Sequence, residues 1–310
     1  MLAVVVPLAF AFALPPTNET SRYQLDADLH LTPAIADLDS YGNGDSAEVH
    51  ASAQLQLTMF IQRVRDDDAA PSLQPFLQRV ARVRVAVSGA VGFSYVADDG
   101  PPFQRDDGGP TVRAAIDGYV ARYLYLGASV GYQLQHRWVD IDNGSTENVH
   151  EPSLAVAIGA RLGDVRIAAT AGATFAVGEG DQANWEYVGL RAHAVIHRFI
   201  ELDGGAELRL WPAADGGAGK GGGGDASATF WLGRRLGLGI GGFYRQGFGS
   251  DLGIQTDTQA GGAVSIRWWL SPRALFSFAY RTIWEPNVAD PSLQESRIDL
   301  ALTLGLSFRL

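Results

Sequence analysis

Between Arg22 and the last residue, segment after segment alternates between apolar side chains and small or polar ones. A period of two is the mark of strands whose two faces meet different surroundings. The C-terminal segment shows it most cleanly. Ile298, Leu300, Leu302, Leu304, Leu306, Phe308 and Leu310 fall on one face, and Asp299, Ala301, Thr303, Gly305, Ser307 and Arg309 on the other. The segment after Asp164 repeats it, with Val165, Ile167 and Ala169 opposed by Arg166, Ala168 and Thr170, and so do Val83, Val85 and Val87 against Arg82 and Arg84. Past Leu14 no stretch reaches the roughly 18 to 20 continuous apolar residues that a membrane-crossing helix needs. If this chain crosses a membrane, it does so with strands.

The alternation places strands at about 22–31, 47–63, 81–96, 111–120, 123–138, 152–162, 164–177, 185–197, 200–211, 226–233, 236–247, 258–269, 274–284 and 296–310. The connections between them alternate in length. Tight joins at 121–122, Gly163–Asp164, Arg198, Gly233–Arg235 and Ser271–Arg273 interleave with the longer stretches ADDGPPFQRDDGGP, DIDNGSTENVHE, PAADGGAGKGGGGD and EPNVADPSLQES. Short turns on one rim and long loops on the other predict an up-and-down antiparallel barrel of about 14 strands with both chain ends on the short-turn side. One short-side connection breaks the rule. Arg65–Val80 is too long for a tight turn, so it holds a helical turn on that rim or marks a misread strand pair, which would leave 12 strands.

A soluble barrel also alternates, and the direction of the polar face separates the two cases. A soluble barrel packs large apolar residues inward, whereas a membrane barrel turns them to lipid and fills its interior with polar and small groups. Here the weaker face is rich in Gly, Ala, Ser, Thr and Arg, as at Gly127, Ser129, Gly131, Gln133 and Arg137. Lysine, which solubilises an exposed sheet, is almost missing, since of 24 basic residues only Lys220 is one. Tyr23, Tyr123, Trp138, Trp185, Phe199, Trp211, Trp268, Tyr280 and Trp284 gather near strand ends, where aromatic belts sit at the membrane interface. With no cysteine in the sequence, the scaffold holds without disulfides and offers no thiolate metal site.

The last residues carry a more specific signal. Thr303, Gly305, Phe308 and Leu310 form a polar-x-Gly-x-x-aromatic-x-hydrophobic pattern that resembles the terminal β-signal of bacterial outer-membrane β-barrel proteins, with Leu310 where many members end in phenylalanine. The resemblance implies a porin-like barrel in the bacterial outer membrane, inserted with the help of the barrel-assembly machinery. In keeping with it, the apolar run Leu2–Leu14, with Ala11 and Ala13 in an A-x-A arrangement, reads as a signal peptide over residues 1–14 cleaved near Ala13, ahead of one barrel domain at 20–310.

Turning the apolar face to lipid sends Arg82, Arg84, Arg113, Asp117, Arg137, Arg161, Arg166, Arg191, Asp203, Glu207, Arg209, Arg245, Arg267, Arg281 and Asp299 into the lumen, together with Asp26, Asp28, His193, His197 and Arg309. Such a wall suits a passive or weakly selective channel for small solutes. It also suits a structural or surface-interaction barrel stiffened by Arg–carboxylate pairs. A barrel-borne hydrolase is the third reading, although no histidine stands in a recognisable triad spacing, and the sequence assigns no catalytic residue, metal or cofactor. On a strand His193 and His197 lie about 13 Å apart, too far to share a metal. The GGAGKG stretch around Lys220 lacks the Ser or Thr of a phosphate loop and reads as a flexible loop. The net charge of -10 argues against nucleic acid. Acidic residues recur in the long connections, among them Asp98, Asp99, Asp140, Asp142, Glu179, Asp181, Asp251 and Asp290, which makes bridging to lipopolysaccharide through divalent cations an expectation for that rim.

Overall fold

The computed structural model describes residues 20–37, 45–65, 69–96, 103–120, 122–139, 145–178, 184–212, 218–246, 258–271, 273–286 and 296–310. The expected signal peptide at 1–14 and the acidic centres of the long connections lie outside them.

One antiparallel sheet closes on itself. In chain order its strands are β1 (Ser21–Asp37), β2 (Asp45–Val64), β3 (Arg82–Val96), β4 (Phe103–Tyr119), β5 (Leu124–Val139), β6 (Ser145–Leu162), β7 (Val165–Thr174), the two-residue β8 (Val177–Gly178), β9 (Trp185–Ile196), β10 (Ile200–Pro212), β11 (Ala218–Leu232), β12 (Leu236–Gln246), β13 (Thr258–Ser271), β14 (Ala274–Pro286) and β15 (Ser296–Arg309). Each long strand pairs with its neighbours in sequence, and β1 pairs with β15 in the register Gln24↔Arg309 to Leu31↔Leu302, which closes the ring. β8 pairs only with the end of β6. The wall therefore has 14 strands, and the expectation of 12 falls away.

Exposure follows the sequence period and runs opposite to a soluble barrel. Leu55 and Leu57 on β2, Val130 on β5, Val156 and Ile158 on β6, and Ile240 on β12 stand exposed, Val130 at 60% and Ile158 at 59%. Their neighbours of opposite parity are half-buried or buried, including Asp117 and Arg161. Tyr23, Tyr123, Phe199 and Trp268 carry exposed rings close to the short turns, where a belt is expected. Trp185 departs from that belt. Its ring stacks with Tyr187 and the Arg209 guanidinium on the inner face.

The strands run longer than alternation alone implies. β4 begins at Phe103, β6 at Ser145 and β11 at Ala218, inside stretches that read as loops, so the glycine-rich segment around Lys220 is not a flexible loop. Gly219 to Gly224 pair residue for residue with Trp211 to Ala206 of β10. Ladder hydrogen bonds use only the backbone, so a neighbouring strand that continues can hold residues of weak strand preference. At 11 to 20 residues for most of the wall, the strands exceed the roughly 9–11 residues that cross the hydrocarbon layer.

The short turns share one rim. At β9–β10 the turn takes His197 and Arg198 through positive φ, 51° and 62°, a two-residue hairpin geometry that usually recruits Asn or Gly. His197 therefore belongs to the turn and not to the inner wall. The β6–β7 and β11–β12 turns use Gly163 and Gly233 at φ 60° and 67°.

Candidate functional site

The long β2–β3 connection does hold a helical turn, but it does not lie on the rim. A 3-10 turn at Pro71–Leu73 runs into a single α-helical turn, α1, at Gln74–Leu77, and the pair folds into the mouth of the barrel. Ala69, Ala70 and Leu73 are fully buried against Val195 of β9, Trp231 of β11 and Trp269 of β13, with Leu275 of β14 alongside. These partners lie on the β9–β14 arc of the ring, while the segment is rooted between β2 and β3, which places it across the bore near the short-turn end. At its root Phe60, Val64 and Val80 form a second apolar cluster, and Gln78 pins the return to Arg65 through both of its amide ends.

A short helical segment leaves several carbonyls without partners of their own. Wall arginines supply them. Arg161 on β6 is buried, donates from Nη1 to the Phe76 carbonyl and from Nη2 to that of Leu77 at 3.5 Å, and lies 4.2 Å from the Phe76 ring centre. Its Nε is spent on the Gly163 carbonyl at 2.7 Å in its own turn. Arg309 on β15, also buried, donates to the Pro71 carbonyl and to Gln74 Oε1 at 3.0 Å. Arg234 reaches the Ala69 carbonyl at 3.4 Å. His193 packs edge-on against Phe76 with ring centres 4.4 Å apart. Buried guanidiniums satisfied by carbonyls, and faced by aromatic rings, suit arginine's planar, weakly hydrated head.

On the long-loop side of this plug lies a polar cavity of about 400 Å³, floored by Ser72, Pro75 and Phe76. Its walls bring together residues from distant strands. Arg82 and Arg84 of β3 converge on Asp117 of β4, with Arg82 Nε 3.0 Å and Arg84 Nη2 2.7 Å from its carboxylate. Asp203 of β10 accepts from Arg191 of β9 and lies 3.2 Å from His193 Nδ1, while Arg191 also reaches Asp225 at 3.2 Å. Arg267 of β13 pairs across the cavity with Glu201 of β10 at 3.2 Å. Arg166 of β7 sits 4.6 Å from the Tyr125 ring centre and 5.7 Å from that of Phe76.

The remaining lumen candidates stand elsewhere. Glu207 and Arg209 of β10 pair with each other at 2.5 Å beside Trp185. Arg245 and Arg281 flank the Phe243 ring at 5.4 and 3.9 Å. Arg113 is exposed on β4. Arg137 and Asp299 have described backbones on β5 and β15, and their side chains lie outside the described residues. Among the described residues no group of three or more His, Asp or Glu side chains gathers as a metal site. Within the C-terminal motif, Gly305 has a packing reason. A Cβ there would collide with Ser277 Oγ and the Asp28 carboxylate, and Thr303 Oγ1 lies 2.9 Å from His30 Nδ1.

Sequence reasoning missed the plug. Its only signal was the misfit of length, a connection of 16 residues, 65–80, where a tight turn belongs.

Comparison with solved structures settles the fold. The toluene transporter TodX of P. putida superposes with a TM-score of 0.54 at 11% identity, covering 98% of this chain and 92% of that one. A TodX deletion mutant described as a monoaromatic hydrocarbon channel gives 0.56 at 10% identity with the same coverage, and an outer-membrane channel from Pseudomonas putida F1 gives 0.50 at 9%, covering 97% and 98%. The chain has the fold of bacterial outer-membrane β-barrels. No family model and no curated relative matches it. In bacterial outer-membrane barrels the short-turn rim faces the periplasm and the long loops face outward, and the plug here lies at the short-turn rim.

Proposed function

We propose that this barrel is a channel for small polar solutes, with the Ala69–Arg79 plug as its periplasmic gate. The observation that carries the reading is the inverted polarity of the wall, exposed leucine, isoleucine and valine outside and a charged cavity of about 400 Å³ within. Fourteen strands enclose more space than the eight whose interior side chains fill completely. The plug is the only described segment across the bore, and wall arginines hold it through hydrogen bonds, without continuous sheet pairing. That is a closure able to release. A barrel that stays shut is the second reading, favoured by the same plug and its buried apolar contacts.

Planar-bilayer recording separates the two. The full-length barrel is compared with a variant in which residues 69–79 are replaced by a short Gly-Ser linker. The channel reading expects discrete current steps from the parent and larger, persistently open steps from the variant. An inserted parent barrel that passes no current at any voltage or salt concentration leaves the shut barrel standing. We further propose that residues 1–14 direct export as a cleaved signal peptide. The motif Thr303, Gly305, Phe308 and Leu310 is then read by the barrel-assembly machinery.

A further inference from the structure

We infer that the cavity outside the plug is a binding site for a small hydroxylated carboxylate, with Arg166 as its anchor. The inference deepens the channel reading by naming the class of solute that pauses there.

Charge is the first argument. The cavity is lined by Arg82, Arg166, Arg191 and Arg267 against Asp117, Glu201 and Asp203. Each carboxylate is already engaged. Asp117 serves Arg82 and Arg84, Glu201 serves Arg267, and Asp203 serves Arg191 and His193. Arg166 has no carboxylate partner among the described residues. Its guanidinium is held by the Tyr125 and Phe76 rings, contacts that satisfy a cationic face and leave the N–H donors along its edge unused. A planar fork held in place by stacking, in an enclosed polar space, is the geometry that takes a carboxylate bidentately.

Hydroxyl groups are the second argument. Ser72 on the plug and Tyr119 on β4 both line the cavity, and each has a buried hydroxyl without a hydrogen-bond partner among the described residues. Ser227 and Thr229 of β11 line it too. A buried polar group left unmatched costs about 1–3 kcal/mol, so these groups favour a ligand that donates and accepts. A bare inorganic anion answers Arg166 but not this set. The volume lies near the lower end of small-molecule sites. Because Ser72 and Phe76 belong to the plug, a solute bound to Arg166 rests directly on the gate.

The test uses the full chain in detergent, with gluconate as probe, sorbitol as its uncharged counterpart and inorganic phosphate as the bare oxyanion, followed by isothermal titration calorimetry. Saturable gluconate binding is expected, with sorbitol and phosphate each weaker by about tenfold or more, the difference a charge-assisted pair or a matched hydroxyl set makes. Arg166→Gln should weaken gluconate by about tenfold or more and Ser72→Ala several-fold, whereas Arg122→Gln, on the exposed rim, should leave it unchanged. Ser72→Ala keeps the site testable if Arg166→Gln does not fold, which unboiled gel mobility reports. Undiminished gluconate binding in the Arg166 variant overturns the anchor, and phosphate binding as tight as gluconate overturns the hydroxy-acid assignment. Gluconate binding without bilayer current would sink the channel while leaving the site. Current without gluconate binding would do the reverse.

Discussion

Replacing Arg161 by methionine isolates the force that holds the plug. Methionine keeps an unbranched apolar stem, but it removes the donors to the Phe76 and Leu77 carbonyls and the guanidinium face 4.2 Å from the Phe76 ring. The bonds also lost to Gly163 and Asp164 lie within the β6–β7 turn and are made in the docked and undocked states alike. A hydrogen bond from a charged donor contributes about 1.5–3 kcal/mol, and the Leu77 contact at 3.5 Å adds little. The desolvated stack adds about 1–2 kcal/mol. Undocking therefore becomes easier by roughly 3 kcal/mol, about a hundredfold in the undocking equilibrium. Backbone amide hydrogen exchange reads that equilibrium directly. The reporters are the amides of Gln78, Arg79 and Val80, which donate to the carbonyls of Gln74, Phe76 and Pro75 within the plug. The Phe175 amide, bonded to the Pro152 carbonyl at 2.9 Å in the wall away from the plug, is the control. Exchange of the plug amides should rise by about two orders of magnitude while the control is unchanged. A rise of less than about threefold, with the barrel intact, would refute the claim that Arg161 latches the plug.

Gly305→Val places methyl groups against Ser277 Oγ and the Asp28 carboxylate. It should destabilise the folded barrel by about 1–3 kcal/mol, seen as a lower urea midpoint in vesicles, whereas an unchanged midpoint would mean that the β1–β15 seam relaxes freely. Changing Arg166, Arg191, Arg209 and Arg267 together to glutamine weakens the positive potential inside the lumen, so bilayer selectivity should shift toward cations, and no shift would place the ion path away from these side chains. Deleting Phe308 to Leu310 should leave periplasmic aggregates in place of heat-modifiable barrel. Normal insertion of that truncation would reduce the terminal motif to coincidence.

The alternation of residues such as Val165, Arg166 and Ile167 already contained the barrel, because side-chain direction in a strand follows from local geometry with no reference to the rest of the chain. It also located the short turns at Gly163, Arg198 and Gly233, where backbone direction reverses within a few residues. The sequence was less informative about where strands stop. The Gly219–Gly224 run has no apolar face to read, and it is strand because β10 continues beside it. The plug lay furthest from sight. Nothing in PSLQPFLQ marks it as interior, since its burial rests on Val195, Trp231 and Trp269, and its carbonyls on Arg161 and Arg309, up to 238 residues away along the chain. Arginine parity said only that these side chains leave the lipid face. Whether each meets a carboxylate, a plug carbonyl or an aromatic ring depends on which strands closure sets opposite one another, a long-range relation that only the completed ring decides.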